Sequence, residues 1–134
     1  LKYENKKKNL KQITQMQRKK TGKLFSFCLQ SVAIIAKKSK KEKILLGKLG
    51  EDIGLLFQLS DDFLDIKGSK SKVGKPIRKD KKKGKSTLIN LLGYKKAFNY
   101  AEILKKKILL KLKKHGKNAN TLSDTIKFIL GRNF

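Results

Sequence analysis

The stretch from Gly54 to Gly74, GLLFQLSDDFLDIKGSKSKVG, concentrates acidic side chains in a chain that is otherwise rich in lysine. Gln58, Asp61 and Asp65 follow one another at spacings of three and four residues, so in a helix they share one side. Asp62 lies beside them, and leucine, isoleucine and phenylalanine occupy most of the other positions. The spacing therefore predicts an amphipathic helix that carries a polar arc of carboxylates.

Three carboxylates this close repel one another and need protons or a compensating cation. A hard divalent metal suits them, because Mg²⁺ accepts a few carboxylate oxygens, keeps several waters and completes its shell with phosphates. The alternative is a helix end with solvated carboxylates, which the helix dipole disfavours. The arc of Asp61, Asp62 and Asp65 is thus a candidate Mg²⁺ site.

The same helical period runs through the rest of the chain, and strand-like alternation is absent, so the predicted class is all-α. The predicted helices run from about Leu1 to Lys20, Lys23 to Lys37, Lys41 to Ile66, Ser86 to Leu92, Lys95 to Lys113 and Leu122 to Leu130. Thr21-Gly22 is expected to separate the first two helices, and a polar loop is expected from Lys67 to Lys83. Gly93 is expected to end the short helix from Ser86 to Leu92, and Thr121 to cap the last helix.

Two features bear on packing. Gly47, Gly50 and Gly54 recur on one side of the third helix, which indicates either close helix approach or room for a ligand. The nearly apolar run from Leu24 to Ala36 predicts a helix buried on most sides, with Cys28 as a small buried hydrophobe. This run is too short and too polar to span a bilayer.

The chain has 134 residues, which fits one domain. Its formal net charge of +26 raises the possibility of nucleic-acid binding. The lysines, however, are spread along the whole chain, and arginine occurs only at Arg18, Arg78 and Arg132. This pattern favours lysine-coated helix faces over a dedicated nucleic-acid surface, although non-specific polyanion binding is expected. No apolar leader is visible, so the expected compartment is the cytoplasm.

Two further features resemble catalytic motifs but lack the surroundings that such motifs need. The Gly84-Lys85-Ser86-Thr87 segment lacks the upstream glycine of a P-loop, since Lys79 stands there, and no strand precedes it. His115 lies at a helix end among lysines and is expected to be a solvated residue.

The segment FQLSDDFLD, followed by VGKPIRKDKKKGKSTLINLLG, resembles the second aspartate-rich motif and downstream loop of the polyprenyl diphosphate synthases, especially the bacterial farnesyl and geranylgeranyl type. Upstream, RKKTGKLF is similar to the lysine-threonine-glycine helix break of that family. The likeness extends from about Ile13 to Asn133 and implies the C-terminal portion of the isoprenoid synthase helical bundle.

The resemblance implies a role for each matching residue. Asp61 would ligate Mg²⁺ that bridges the allylic diphosphate, with Asp62 and Asp65 as direct or water-mediated partners. The residues expected to contact the diphosphate or line its pocket are Lys20, Thr21, Gln58, Lys75 and, as a weaker candidate, Lys85. The implied reaction is prenyl transfer, in which metal and lysines stabilise the departing diphosphate and isopentenyl diphosphate attacks the allylic cation.

The family also has a first aspartate-rich motif and basic residues that hold isopentenyl diphosphate, and nothing similar occurs before Lys20. Residues 1–134 are therefore expected to form a single partial domain that binds metal-diphosphate weakly and is inactive alone. The resemblance allows a homodimer in the full-length form. A half-fold would also expose the apolar run from Leu24 to Ala36. The alternative function is a small basic helical protein that binds nucleic acid or anionic surfaces.

Overall fold

The computed structural model describes residues 8–71 and 87–131, and within them every regular element is helical. A π-helical turn, Arg18–Gly22, joins the first two helices, and a 3-10 turn, Gly116–Ala119, precedes the last. The all-α prediction is confirmed. The α-helices are α1 Leu10–Gln17, α2 Lys23–Ile35, α3 Lys40–Ser71, α4 Leu88–Leu92, α5 Tyr94–Lys113 and α6 Asn120–Gly131.

The junction between α1 and α2 is a wide turn and not a break. At Gly22 the backbone angles are φ −60° and ψ −30°, and Lys23 continues with φ −65° and ψ −34°. A π turn spaces its hydrogen bonds five residues apart, so it inserts one extra residue without leaving the helical conformation. The predicted interruption at Thr21-Gly22 therefore lies at the right place but takes a different form.

The long helix α3 begins with a capping box and extends beyond the expected end. The Ser39 backbone amide donates to Glu42 Oε2 at 3.0 Å, and the Glu42 amide donates to Ser39 Oγ at 3.2 Å. The helix continues past Ile66 through Ser71, the last described residue before position 87, so the start of the predicted loop at Lys67 is wrong. Positions 72–83 of that loop lie outside the described residues.

The C-terminal elements follow most of the predicted boundaries. Thr87 Oγ1 accepts from the Asn90 amide at 3.1 Å, and Gly93, with φ 79°, ends α4 as expected. The prediction that Thr121 caps the last helix is wrong. The preceding 3-10 turn leads directly into α6 at Asn120, so Thr121 lies inside the first helical turn.

The core lies on one side of α3, where α5, α6, α1 and α4 contribute apolar side chains. Phe63 is fully buried, with its ring 5.1 Å from that of Tyr94 and 5.6 Å from that of Phe98. Ser60 Oγ donates to the Ile129 carbonyl at 2.6 Å and fixes α6 to α3. The buried apolar residues that form this core include Ile13, Leu49, Ile53, Leu56, Leu59, Leu88, Ala97, Ala101, Leu104, Ile108, Leu112, Ile126 and Leu130.

Helix α2 packs on the opposite side of α3 through glycine. A Cβ on Gly50 would lie 2.5 Å from the Phe25 carbonyl oxygen, and one on Gly54 would lie 2.6 Å from Gly22 Cα. A Cβ on Gly47 would overlap the Gln30 side chain. Of the two interpretations of these glycines, the structure therefore shows close approach of the helix backbones.

The outward face of α2 is uncovered, so the prediction of burial on most sides is wrong for this chain. Within α2 only Ser26 and Ala33 are buried, whereas Phe27 and Ile35 are 67% and 81% exposed. Cys28 is also exposed, contrary to expectation. The reason is that α2 contacts only α3 and the π turn among the described elements. None of the helices in the described part of the chain has the length and apolar character needed to cross a membrane.

Candidate functional site

The π turn is held against α3 at a point where both backbones lack side chains. Gly22 is buried, and a Cβ there would lie 3.2 Å from the Glu51 backbone. Gln58 follows Gly54 by one helical turn, and Thr21 directly precedes Gly22, so the glycine contact brings their side chains together. Thr21 Oγ1 donates to Gln58 Oε1 at 3.0 Å.

The Gln58 amide connects this contact to the acidic arc. Its Nε2 donates to Asp62 Oδ1 at 3.2 Å, across the four-residue spacing of neighbouring helical turns. Because Thr21 donates to the carbonyl oxygen of the same amide, the nitrogen must face the carboxylate. The structure thus brings three of the predicted site residues, Thr21, Gln58 and Asp62, into one hydrogen-bonded chain.

A further residue, Gln17 at the end of α1, also holds Asp62. Gln17 Nε2 donates to Asp62 Oδ2 at 3.2 Å, and the residue is only 5% exposed. Its Oε1 is buried without a hydrogen-bond partner among the described residues. The sequence reasoning missed Gln17, although the four-residue spacing from the buried Ile13 places a polar amide on the buried side of α1.

The other two aspartates lie on α3 one turn apart, with Asp61 half-buried and Asp65 exposed. Across 8–71 and 87–131, no three His, Cys, Asp or Glu side chains gather into a group that would hold a metal ion. A protein site for Mg²⁺ needs only one or two carboxylates when phosphates and water complete the shell. The donors present therefore fit Mg²⁺ as one side of such a site, with Asp62 already oriented by two amides.

Of the three lysines predicted to contact the diphosphate, the structure describes one. Lys20 belongs to the π turn beside Thr21, and its side chain is exposed. Lys75 and Lys85 lie outside the described residues, as does Gly84 of the excluded P-loop segment. His115 is exposed beyond the end of α5, in agreement with its expected solvated role.

The buried carboxylate of Asp52 forms ion pairs that fix the π turn to its neighbouring helices. Arg18 Nη1 lies 2.6 Å from Asp52 Oδ1, and Lys111 Nζ of α5 lies 2.8 Å from Asp52 Oδ2. Burial alone would raise the pKa of Asp52, but the hydrogen bonds from Lys111 and Arg18 outweigh it and hold this pKa below its ordinary value. The triad links the turn that carries Lys20 and Thr21 to both α3 and α5.

Tyr100 of α5 lies near the same triad. Burial raises the pKa of its phenol, the positive charge of Arg18 opposes this rise and the negative charge of Asp52 adds to it. The sequence reasoning missed the triad as a support of the site, because its partners are separated widely along the chain.

The site as a whole offers carboxylate oxygens, an oriented hydroxyl and amide pair, and a lysine on one surface. These groups suit the binding of a hydrated hard cation together with an anionic ligand. They contain no paired nucleophile and base, so the chemistry they support is charge stabilisation.

Comparison with known proteins gives a consistent result. The family model described as "Polyprenyl synthetase" matches residues 1–126. Farnesyl diphosphate synthase of Bacillus subtilis (strain 168) is 36% identical over 89 residues, which are 66% of this chain and 30% of the relative. Farnesyl diphosphate synthase of Escherichia coli (strain K12) is 32% identical over 125 residues, covering 90% of this chain and 42% of the relative.

Solved structures that resemble this chain come from the same kind of enzyme as its sequence relatives. An apo FPP/GFPP synthase from Zymomonas mobilis aligns with a TM-score of 0.76 and 32% identity over 96% of this chain and 41% of its own. A geranyltransferase from Helicobacter pylori, complexed with magnesium and isoprenyl diphosphate, aligns with a TM-score of 0.72 and 30% identity over 97% of this chain and 43% of its own. The chain thus spans well under half the length of these relatives.

Proposed function

The chain belongs to the polyprenyl synthetase family, and from this premise we propose that it forms the diphosphate-binding part of a prenyltransferase. The reaction would condense an allylic diphosphate with isopentenyl diphosphate in isoprenoid biosynthesis. The observation that carries the proposal is the hydrogen-bonded chain from Thr21 through Gln58 to Asp62, which orients a carboxylate of the acidic arc. The match over residues 1–126 supports it.

In the proposed reaction the carbon–oxygen bond of the allylic diphosphate breaks, and the diphosphate leaves with the electron pair. The double bond of isopentenyl diphosphate attacks the allylic cation, a carbon–carbon bond forms and a proton is lost. Lys20, Lys75 and Lys85 would offset the charge of the diphosphate, while Thr21 and Gln58 line its pocket.

Asp61, Asp62 and Asp65 would hold Mg²⁺. When bound, Mg²⁺ supplies Lewis-acid stabilisation of the leaving diphosphate. The Helicobacter pylori geranyltransferase, which is complexed with magnesium and isoprenyl diphosphate, supports this choice of ligands.

We propose that residues 1–134 are one part of a single helical domain. The extent of the structural matches supports this, since they cover 96% of this chain but 41% of the Zymomonas mobilis chain. On this proposal the chain alone binds metal-diphosphate weakly and lacks activity. A homodimer of the full-length form and a cytoplasmic location stay predictions.

Titration calorimetry of the purified chain with inorganic diphosphate, with and without Mg²⁺, tests the proposed site. We expect binding to require Mg²⁺ and to weaken by roughly 10- to 100-fold in Asp61→Asn. Asp124→Asn is the matched control, because Asp124 is an exposed aspartate of α6 paired only with its neighbour Lys127 in the described structure. This variant should bind as the unmodified chain does.

A second pair of variants addresses the lysines. Lys20→Gln should weaken the Mg²⁺-dependent binding, whereas Lys107→Gln, which removes another exposed charge from α5, should not. Affinity that ignores Mg²⁺, falls steeply with salt and responds alike to both variants would instead support the alternative of a basic protein that binds polyanions.

A further inference from the structure

The amides of Gln17 and Gln58 hold the same carboxylate but differ in one respect. Gln58 Nε2 donates to Asp62 Oδ1 and Gln17 Nε2 donates to Asp62 Oδ2, both at 3.2 Å. The carbonyl oxygen of Gln58 accepts from Thr21, at 3.0 Å. The carbonyl oxygen of Gln17 is buried and accepts from none of the described residues. Among the described residues, therefore, the Gln58 amide has partners for both its nitrogen and its oxygen, and the Gln17 amide has one for its nitrogen alone.

The orientation of the Gln17 amide is fixed by its partner. An ionised carboxylate only accepts hydrogen bonds, so the nitrogen must face Asp62 and the carbonyl oxygen occupies the other arm of the same amide. Both atoms belong to one planar amide group, so the unsatisfied oxygen lies within a few ångströms of the acidic arc. A buried carbonyl without a donor is costly, and an apolar side chain of similar shape would avoid that cost.

The Gln17 carbonyl oxygen needs a hydrogen-bond donor, and the components of a metal-diphosphate site differ in whether they supply one. An ionised diphosphate presents only acceptors at its oxygens and cannot satisfy a carbonyl. Water in the inner shell of a divalent cation is a donor, and Mg²⁺ usually keeps several such waters when one or two carboxylates bind it. The unsatisfied acceptor of Gln17 thus matches a hydrated cation beside Asp62.

We propose that Gln17 is a positioning residue of the metal-diphosphate site. Its amide nitrogen holds Asp62 from α1, and its carbonyl oxygen accepts a hydrogen bond from a cation-bound water when the site is loaded. This hydrogen bond is gained on loading, so Gln17 favours the loaded state. The inference rests on the proposed function and deepens it by adding a residue from α1.

Gln17→Met tests the proposal, because methionine keeps the shape of the side chain but has neither donor nor strong acceptor. We expect affinity for inorganic diphosphate in Mg²⁺ to fall roughly tenfold or more, as is usual when a partner of a metal ligand is removed. The melting temperature without ligand should be unchanged or higher, and the upward shift on adding Mg²⁺ and diphosphate should shrink. Gln15→Met, an exposed glutamine of the same helix, is the control and should change neither quantity.

Gln17→His provides a rescue, because a neutral imidazole carries one donor and one acceptor. At about pH 8, where histidine is uncharged, this variant should recover most of the affinity that methionine loses. It also keeps the proposal testable if the methionine variant does not fold, since a folded histidine variant that binds no better than Asp61→Asn would overturn it.

Other outcomes separate the two levels of inference. Wild-type affinity in Gln17→Met would refute the role of Gln17 and leave the proposed function standing. A lower melting temperature of the ligand-free chain with an undiminished ligand shift would also refute it, because a purely structural residue behaves in that way. Absence of Mg²⁺-dependent binding in the unmodified chain would refute the proposed function itself.

Discussion

Helices α2 and α5 pack against α3 from different sides and in different ways. Helix α5 buries Ala97, Ala101, Leu104, Ile108 and Leu112, and its outer face carries exposed lysines among the apolar Ile103 and Leu110. Helix α2 approaches α3 through glycines, buries only two small side chains and has no charged residue from Leu24 to Ala36.

The difference shows that α5 has a core face and a solvent face, whereas α2 is apolar on both. In a chain with 36 lysines and arginines, an uncharged exposed helix is unusual, and its exposed face has the character of an interaction surface. The two sides of α3 therefore contribute differently to the structure. The α5 side buries the apolar core, and the α2 side packs through close backbone contacts and leaves an apolar face exposed.

The largest expected effect is on the α5 side. Phe63→Ala removes a fully buried ring from its contacts with Tyr94 and Phe98 and should lower the free energy of unfolding by about 3–5 kcal/mol. Phe128→Ala is the control, because Phe128 is 67% exposed and should change stability little. Urea denaturation followed by circular dichroism measures both, and equal losses would mean that the core does not lie where the structure has it.

On the α2 side, Gly50→Ala should lower the free energy of unfolding by about 1–3 kcal/mol, because the new Cβ would meet backbone atoms of Phe25 and Ser26 at 2.5–2.6 Å. Gly68→Ala makes the same change in the same helix, where the new Cβ would meet no described atom within 4 Å apart from its own helix backbone and chain neighbours. There the better helix propensity of alanine should stabilise by up to about 1 kcal/mol. Effects of the same sign in urea denaturation would contradict the close helix contact.

Low pH should weaken the ion pairs that Asp52 makes with Arg18 of the π turn and Lys111 of α5. The Asp52 pKa in the folded chain lies below its ordinary value of 3.8, because hydrogen bonds from Lys111 and Arg18 outweigh the effect of burial. The stabilisation is therefore complete above the unfolded-state pKa and is lost as the pH falls through the folded-state pKa. Urea midpoints of wild type and Asp52→Asn should differ near neutral pH and converge as the pH falls through the folded-state pKa of Asp52. A difference in urea midpoint that persists at low pH, or an equal difference in Asp124→Asn, would argue against a stabilising role of the Asp52 ion pairs.

The smallest effect on stability is expected on the outer face of α2. Replacing Phe27 and Ile35 by serine should change the free energy of unfolding by less than about 0.5 kcal/mol per site, because they are 67% and 81% exposed. Because the exposed apolar face of α2 predicts that the chain self-associates, the same double change should reduce light scattering by the chain. Serines at Ile103 and Leu110, 60% and 67% exposed on α5, are the control and should reduce it less.

Much of the fold follows from helical periodicity, because the apolar residues of α3 and α5 recur at the spacing of one buried face. The predicted burial of α2 was wrong, since periodicity reports that a helix is apolar but not which neighbours cover it. The extension of α3 to Ser71 and the π turn were also missed. Both depend on hydrogen-bond register, and lysine and serine are compatible with helix and loop alike.

The site was predicted in part. The resemblance identified Thr21 and Gln58, and the structure joins them to Asp62. Gln17 escaped notice because a neutral amide carries no charge, although its four-residue spacing from Ile13 places it on the buried side of α1, unlike the exposed Gln15. Its role appears only when α1 and α3 are placed side by side.

The π turn Arg18–Gly22 also sets a phase relation between the helices on either side of it. Each residue of an α-helix turns the chain by about 100°, so the additional residue of the turn rotates all of α2 by that angle relative to α1. If the turn were one residue shorter, Ser26 and Ala33 would rotate away from α3, and bulky side chains would meet Gly50 and Gly54. The orientation of α2, and with it the position of Thr21, thus depends on the count of residues in the turn as much as on their identity.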